Sequence, residues 1–285
     1  MDDAREPDGV LLAPDEPPPF MQQPGSAREW FLVCDHAANR VPRALGSLGL
    51  TRAQLETHIA WDIGALEVAR HLAMRLDAPL FATRYSRLVV DCNRYPAAAD
   101  AMPAVSDHLR IPGNRALTEE GRRQRVRALF APYHRAIDAA LCEADRRGET
   151  PLFLSIHSCT DVMNGQRRPW EIGVGWRRDD RAAAPVIESL RARGDVIVGD
   201  NQPYGVDIGD DFTTPEHAMT RGLPHLQVEF RQDLLSTVED ARRWADVLHE
   251  ALTRVGPHEL WSRRAHCLAP ADDIRGIGRW TRGME

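Results

Sequence analysis

The 285-residue chain has no lysine: all 36 of its Lys/Arg positions are arginine. That excludes a Schiff-base lysine, a pyridoxal-phosphate lysine and the lysine of a phosphate-binding P-loop. Cysteine is scarce. Cys34, Cys92, Cys142, Cys159 and Cys267 are scattered, odd in number and form no CxxC pair. Such spacing reads as reduced thiols, not a disulfide framework, and makes a cytoplasmic location the default expectation. Long apolar runs are missing as well, none approaching the roughly 18 residues of a membrane span. The opening segment, MDDAREPDGVLLAPDEPPPF, is acidic and proline-rich and lacks the basic and apolar regions of a signal peptide. There is no basic excess either: 36 arginines face 42 Asp/Glu, for a formal charge of -6. A general nucleic-acid binder would be basic, so neither nucleic acid nor membrane is expected as a partner.

What is present reads as alternating strands and helices. Residues 1–27, with Pro17, Pro18, Pro19 and Pro24, read as a disordered tail. A domain over residues 28–258 and a C-terminal extension over 259–285, rich in Arg and Gly, follow. The apolar run Trp30 to Cys34 predicts a buried strand ending at Asp35-His36. Asp62 opens a helix from Ile63 to Leu76, with apolar residues at 63, 66, 69, 72, 73 and 76. Leu80 to Val90 reads as strand with a break near Arg84-Tyr85. Thr118 caps a long helix to about Arg147, disturbed at Pro132. Strands are expected at 152–156, 171–176, 196–198 and 226–230, a helix at 182–193 and loops at 97–114 and 199–214. Ser236-x-x-Glu239 reads as a capping box for a helix to about Arg254. The alternation implies a single α/β domain, a mainly parallel or mixed central sheet flanked by helices. In such sheets ligands gather beyond the carboxyl ends of strands.

That rule selects four side chains. His36 follows the first strand, His157 the strand ending at Ile156, Asp62 stands at a helix start and Glu229 near the end of the last strand. Two imidazoles and a carboxylate can hold Zn²⁺ with one position open for water, and a nearby glutamate can take a proton from that water. Each also has a structural reading: a backbone-bonded histidine, a helix cap for Asp62, or a pair with Arg231 for Glu229. A second constellation is Arg87, Asn93 and Arg94 around the strand LVVDC, where an arginine fork beside an amide suits a carboxylate. Its alternative is a surface pair of Arg94 with Asp91. Cys159, two residues after His157, raises a Cys-His hydrolase, but catalytic pairs usually meet from distant segments. Arginines 122, 123, 125 and 127 read as a solvated helix face.

The segments CDHAANRVP, WDIGALEVARHLA, YSRLVVDCNRYP, SIHSCT, DNQPYG and VEFRQDLL, spread over roughly residues 30 to 255, resemble in order the N-formylglutamate amidohydrolase family. That family is related to zinc carboxypeptidases and zinc-dependent cell-wall amidases. DCNR, SIHS and EFR resemble the carboxypeptidase motifs DxNR, the second histidine and ExR. The resemblance implies an α/β hydrolase-like, zinc carboxypeptidase-like fold. It implies one Zn²⁺ per chain held by His36, Asp62 and His157, Glu229 as general base, and Arg87 on the scissile carbonyl or a carboxylate. It implies Asn93 and Arg94 on a substrate carboxylate, and Tyr204, His217 and Arg231 lining the substrate site. The carboxypeptidase pattern has its acidic ligand three residues after the first histidine; here Asn39 stands there, which turns attention to Asp62.

The activity implied is hydrolysis of an N-acyl amino acid, N-formyl-L-glutamate to formate and L-glutamate foremost, with loops 97–114 and 199–214 setting the acyl group. From a different class, the chain could be a metal- or carboxylate-binding protein without turnover. Retained metal but no hydrolysis would mark that case.

Overall fold

The computed structural model describes residues 10–256 together with Trp261, Arg264 and Ala265. Seven strands form one sheet: β1 (Phe20–Gln23), β2 (Trp30–Cys34), β3 (Leu80–Thr83), β4 (Leu152–Cys159), β5 (Ile172–Gly175), β6 (Val198–Asp200) and β7 (His225–Arg231), in the order β1-β3-β2-β4-β7-β5-β6. The central run β3-β2-β4-β7 is parallel, while β1 on β3 and β5 on β7 are antiparallel. The sheet is therefore mixed and mainly parallel, as the alternation of elements predicts.

Period-two alternation assigns the faces. Leu32, Leu154, Ile156, Leu226, Val228 and Phe230 point to one core, beneath the helices α1 (Ala65–Leu76), α4 (Ala183–Arg191) and α5 (Val238–Val255). Phe31, Val33 and Phe153 point to the other core, beneath α3 (Ala131–Arg146) and the stretch that joins it to α2 (Glu119–Arg125). Between α2 and α3 lies one π-helical stretch, Val126–Phe130. It absorbs Pro132, whose missing N–H would otherwise break the i→i−4 ladder, so the long helix survives. Arg125 does not lie on a solvated face. It is buried and donates to the carbonyls of Val89 and Gly113 and to Asn114 Oδ1.

Four further expectations change. The strand expected from Leu80 to Val90 ends at Thr83, and Arg87, Leu88 and Val89 form a turn instead. The tail expected to be disordered through residue 27 contains β1, in register with β3 from Phe20 opposite Thr83 to Gln23 opposite Leu80. An edge strand pairs on one side only and needs little hydrophobic periodicity, which is why composition hid it. The last helix is capped by Thr237, whose hydroxyl accepts from the Asp240 N–H at 3.0 Å, not by Ser236. Asp62 does not cap α1: Gly64 holds the N-cap at φ +78°, where an added Cβ would meet Leu235 Cβ at 2.5 Å. Most of the C-terminal extension lies outside the described residues. Within it, Trp261 is buried edge-on against Trp30 and donates Nε1–H to the Arg181 carbonyl. Among the described residues, no helix is long and apolar enough to cross a membrane.

Candidate active site

β2, β4 and β7 are neighbours and parallel, so their carboxyl ends open on the same edge of the sheet. His36 follows β2. His157 lies on β4 directly opposite Glu229 on β7. Asp62 reaches the same place from the turn before α1, where its N–H donates to the His36 carbonyl at 2.9 Å. All four side chains are buried.

The donor atoms of His36, Asp62 and His157 lie within 4.8 Å of one another. Asp62 Oδ2 stands 3.3 Å from His36 Nδ1 and 2.9 Å from His157 Nδ1. Each imidazole is turned by a partner on its far nitrogen. His36 Nε2 is 2.7 Å from Asp91 Oδ1; His157 Nε2 is 2.9 Å from Ser155 Oγ and 3.5 Å from Asp35 Oδ2. Asp35 is fixed in turn by the Tyr133 hydroxyl, which donates to Oδ1 at 2.7 Å. Carboxylates behind both rings turn the two Nδ1 atoms toward Asp62 and a shared centre, the usual outer arrangement of metal-binding histidines. Two imidazole nitrogens and one carboxylate oxygen are also the donor set of catalytic zinc sites, so the residues fit such an ion.

The electrostatics agree. Burial pulls the His36 and His157 imidazoles down, yet the carboxylates Asp91 and Asp62 on the first, and Asp35, Asp62 and Glu229 on the second, outweigh it and raise both. Asp62 is lowered: burial opposes this, but the two imidazoles prevail. The carboxylates of Asp35, Asp62 and Asp91 around the two rings thus favour positive charge at the point the rings share. Glu229 behaves oppositely, pushed up to about 7 first by burial, with Asp62 and Asp211 adding to it. A carboxyl group poised near neutrality is suited to taking and returning a proton.

These groups open into a cavity of about 810 Å³ whose lining includes His36, Asp62, Arg87, His157 and Glu229. Arg87 lies against the cluster, with Nε and Nη2 on Asp91 Oδ2 at 2.9 and 2.7 Å and Nη1 at 3.6 Å from Asp62 Oδ1. Tyr204 forms part of the wall. The segment that carries it fits because β5 has glycine at the two positions opposite Glu229 and Gln227: a Cβ on Gly173 would meet the Gln202 carbonyl oxygen at 2.1 Å, and one on Gly175 the Tyr204 carbonyl oxygen at 3.0 Å.

Asn93 and Arg94 also line the cavity, but both are committed to the fold. Asn93 Nδ2 donates to Asp211 Oδ1, and its Oδ1 accepts from the Phe212 and Thr213 N–H groups. Arg94 pairs with Asp211 and Asp100, not with Asp91. His217 is not among the lining residues. It stacks on His134 beneath the site, ring centroids 5.2 Å apart. Arg231 is not among them either: it pairs with Asp233 and donates to the carbonyls of Arg168 and Pro169. It does not pair with Glu229. Asn39 donates to the Leu55 carbonyl and is no ligand candidate. Cys159 does lie on the same face of β4 as His157, since residues two apart on a strand share a face. Its thiol is pushed up to about 12, chiefly by burial, and His157 is occupied by Asp62 and Ser155, so a thiolate nucleophile is disfavoured.

Sequence reasoning missed Asp35, Asp91, Asp211, Gln227 and Arg168. Strand parity would have found Gln227, two residues before Glu229. Its Oε1 is buried without a partner among the described residues. Asp35 and Asp91 flank singled-out residues and offered no signal of their own.

The sequence model of the N-formylglutamate amidohydrolase family matches residues 28–236. The chain belongs to this family. As a family member it is an amidohydrolase that acts on a small molecule. A gene product of Agrobacterium tumefaciens has a similar structure at 35% identity, TM-score 0.81, over 86% of this chain and 99% of that one. An N-formylglutamate amidohydrolase from Ralstonia eutropha shares the fold at 19% identity, TM-score 0.60, over 84% of this chain and 97% of that one. No curated protein sequence matches the chain.

Proposed function

We propose that this amidohydrolase is a zinc enzyme that cleaves the amide of an N-acyl amino acid, N-formyl-L-glutamate foremost, giving formate and L-glutamate. The observation that carries this is the convergence of His36, Asp62 and His157 around one point, with Glu229 opposite His157 on the neighbouring strand. Those three side chains would hold one Zn²⁺ per chain. When bound, such an ion polarises a carbonyl and lowers the pKa of water toward about 7.

The chain's own groups supply the remaining steps. Glu229 accepts the proton of the attacking water and returns it to the leaving nitrogen. Arg87 Nη1, the end of the guanidinium not taken by Asp91, offers a donor to the oxygen on which negative charge develops. Asp91 and the Ser155–Asp35 pair hold the rings so that both Nδ1 atoms stay unprotonated toward the ion. Tyr204 borders the space for the substrate.

Metal analysis tests the reading directly. Wild type should carry about one zinc per chain, lost in His36→Ala and in His157→Ala. Glu229→Gln should keep the metal and release formate at least about 10²-fold more slowly. A zinc-loaded wild type that hydrolyses no N-formyl, N-acetyl or N-succinyl amino acid sinks the proposal and leaves a binding protein. Activity in metal-free protein that is lost in Cys159→Ser would sink it too.

A further inference from the structure

Three guanidinium groups line the cavity among the described residues: Arg87, Arg94 and Arg168. The first two are neutralised from within, Arg87 by Asp91 and Asp62 and Arg94 by Asp211 and Asp100. Arg168 is different. Its residue is only 9% exposed, yet it forms no ion pair with a carboxylate among the described residues. Its hydrogen bonds run from Nη1 to the Thr160 carbonyl at 3.2 Å and from Nη2 to the Tyr204 hydroxyl, both uncharged oxygens. The Tyr204 ring lies under the guanidinium, 4.8 Å from its carbon to the ring centroid. The Cys159 thiol is its other polar neighbour.

The backbone behind Arg168 is held at both ends. Its N–H donates to the Asp161 carbonyl at 2.8 Å, closing the small hairpin of strands Val162–Met163 and Gln166–Arg167. Its carbonyl accepts from Arg231 Nη1 at 3.2 Å, as does that of Pro169. Arg231 stands two residues after Glu229, so the strand that presents the proposed base also positions Arg168. A buried cation without a counter-charge is costly, and a guanidinium held rigidly by stacking presents a planar fork matched to a carboxylate.

We propose that Arg168 receives a carboxylate of the substrate's amino-acid half, with Tyr204 orienting its guanidinium and Arg231 its backbone. This rests on the reading of the cavity as the site for an N-acyl amino acid. It replaces Asn93 and Arg94, whose polar groups are already engaged, as the anchor for that carboxylate. The α- and the side-chain carboxylate of N-formyl-L-glutamate share this chemistry, and the test separates them.

Calorimetric titration of the zinc-loaded Glu229→Gln protein, with and without Arg168→Met, compares N-formyl-L-glutamate, its α-carboxamide and its γ-carboxamide. Arg168→Met should weaken binding of the diacid roughly 10–100-fold. One of the two carboxamides should already bind that much more weakly to the Arg168 protein and lose nothing further in Arg168→Met. That ligand identifies the carboxylate held. Equal losses for all three ligands, or no loss for any, would overturn the assignment, as would failure of the Arg168 protein to bind the diacid. Zinc content and melting temperature serve as controls for folding. Should Arg168→Met not fold, Arg168→Gln carries the same comparison. Formate release by wild type is scored separately: carboxylate binding through Arg168 without hydrolysis refutes the proposed reaction and leaves the carboxylate role standing.

Discussion

Asp91 Oδ1 lies 2.7 Å from His36 Nε2, and this contact turns Nδ1 of the same ring toward Asp62. Asp91 also accepts from Arg87 through its other oxygen and from the Asn93 N–H, so it is fixed before it orients the imidazole. It acts through His36 and is a positioning residue. Asp91→Asn should weaken zinc affinity about 10–100-fold, measured by competition with a chelator. Unchanged affinity together with a lowered melting temperature would reduce Asp91 to a structural ion-pair partner.

Acid should destabilise the fold through the buried histidine pair behind the site. His134 Nε2–H donates to the Cys92 carbonyl at 2.8 Å, so its Nδ1 must accept from His217 Nε2–H at 2.9 Å; both rings are neutral. Burial pulls His134 from its ordinary 6.5 down to about 4 and lowers His217 as well. A depressed folded-state pKa means that the unfolded chain takes up protons the native one refuses. The stability is fully present above pH 6.5 and is lost as pH falls toward 4. Between pH 7 and 5, His134 accounts for a loss of about 2 kcal/mol. His134→Gln should flatten the denaturation midpoint over that interval, and an unaltered slope would refute the assignment.

The glycine at 173 leaves room for the segment that carries Tyr204. Gly173→Ala places a methyl group against a backbone carbonyl, which cannot swing aside as a side-chain end could. The 202–204 segment must shift, with an expected stability loss of about 1–3 kcal/mol and a raised KM from displacement of Tyr204. Thermal unfolding and steady-state kinetics measure the two effects; a variant with wild-type values for both would show that the loop yields freely.

Asn93 fastens the DCNR segment to residues 211–213. Asn93→Ala leaves the Thr213 N–H without its acceptor and takes the Nδ2–H donor from Asp211, while the Phe212 N–H keeps the carbonyl of residue 93; the change should cost about 1–3 kcal/mol of stability. Urea unfolding measures it. A variant of wild-type stability with a greatly raised KM would return Asn93 to the role of a substrate ligand.

Much of this protein was legible from residue order alone. Short apolar runs at 30–34 and 152–156 and the strand read at 226–230 marked the three central strands, and polar residues at their carboxyl ends marked His36, His157 and Glu229. Those are local signals: side-chain parity and the ends of hydrophobic runs are written in consecutive residues. Whether an arginine in the cavity is neutralised or free depends on carboxylates remote in the chain. Arg94 meets Asp211 across 117 positions, while Arg168 meets no carboxylate among the described residues. The sequence by itself therefore determined the central strands and which groups can bind a metal or move a proton. Only the tertiary structure decided the strand order, the turning of each imidazole by Asp91 or Asp35, and the charge left uncompensated at Arg168. Desolvation and pairing between distant segments set those properties, and neither exists until the sheet has closed around its core.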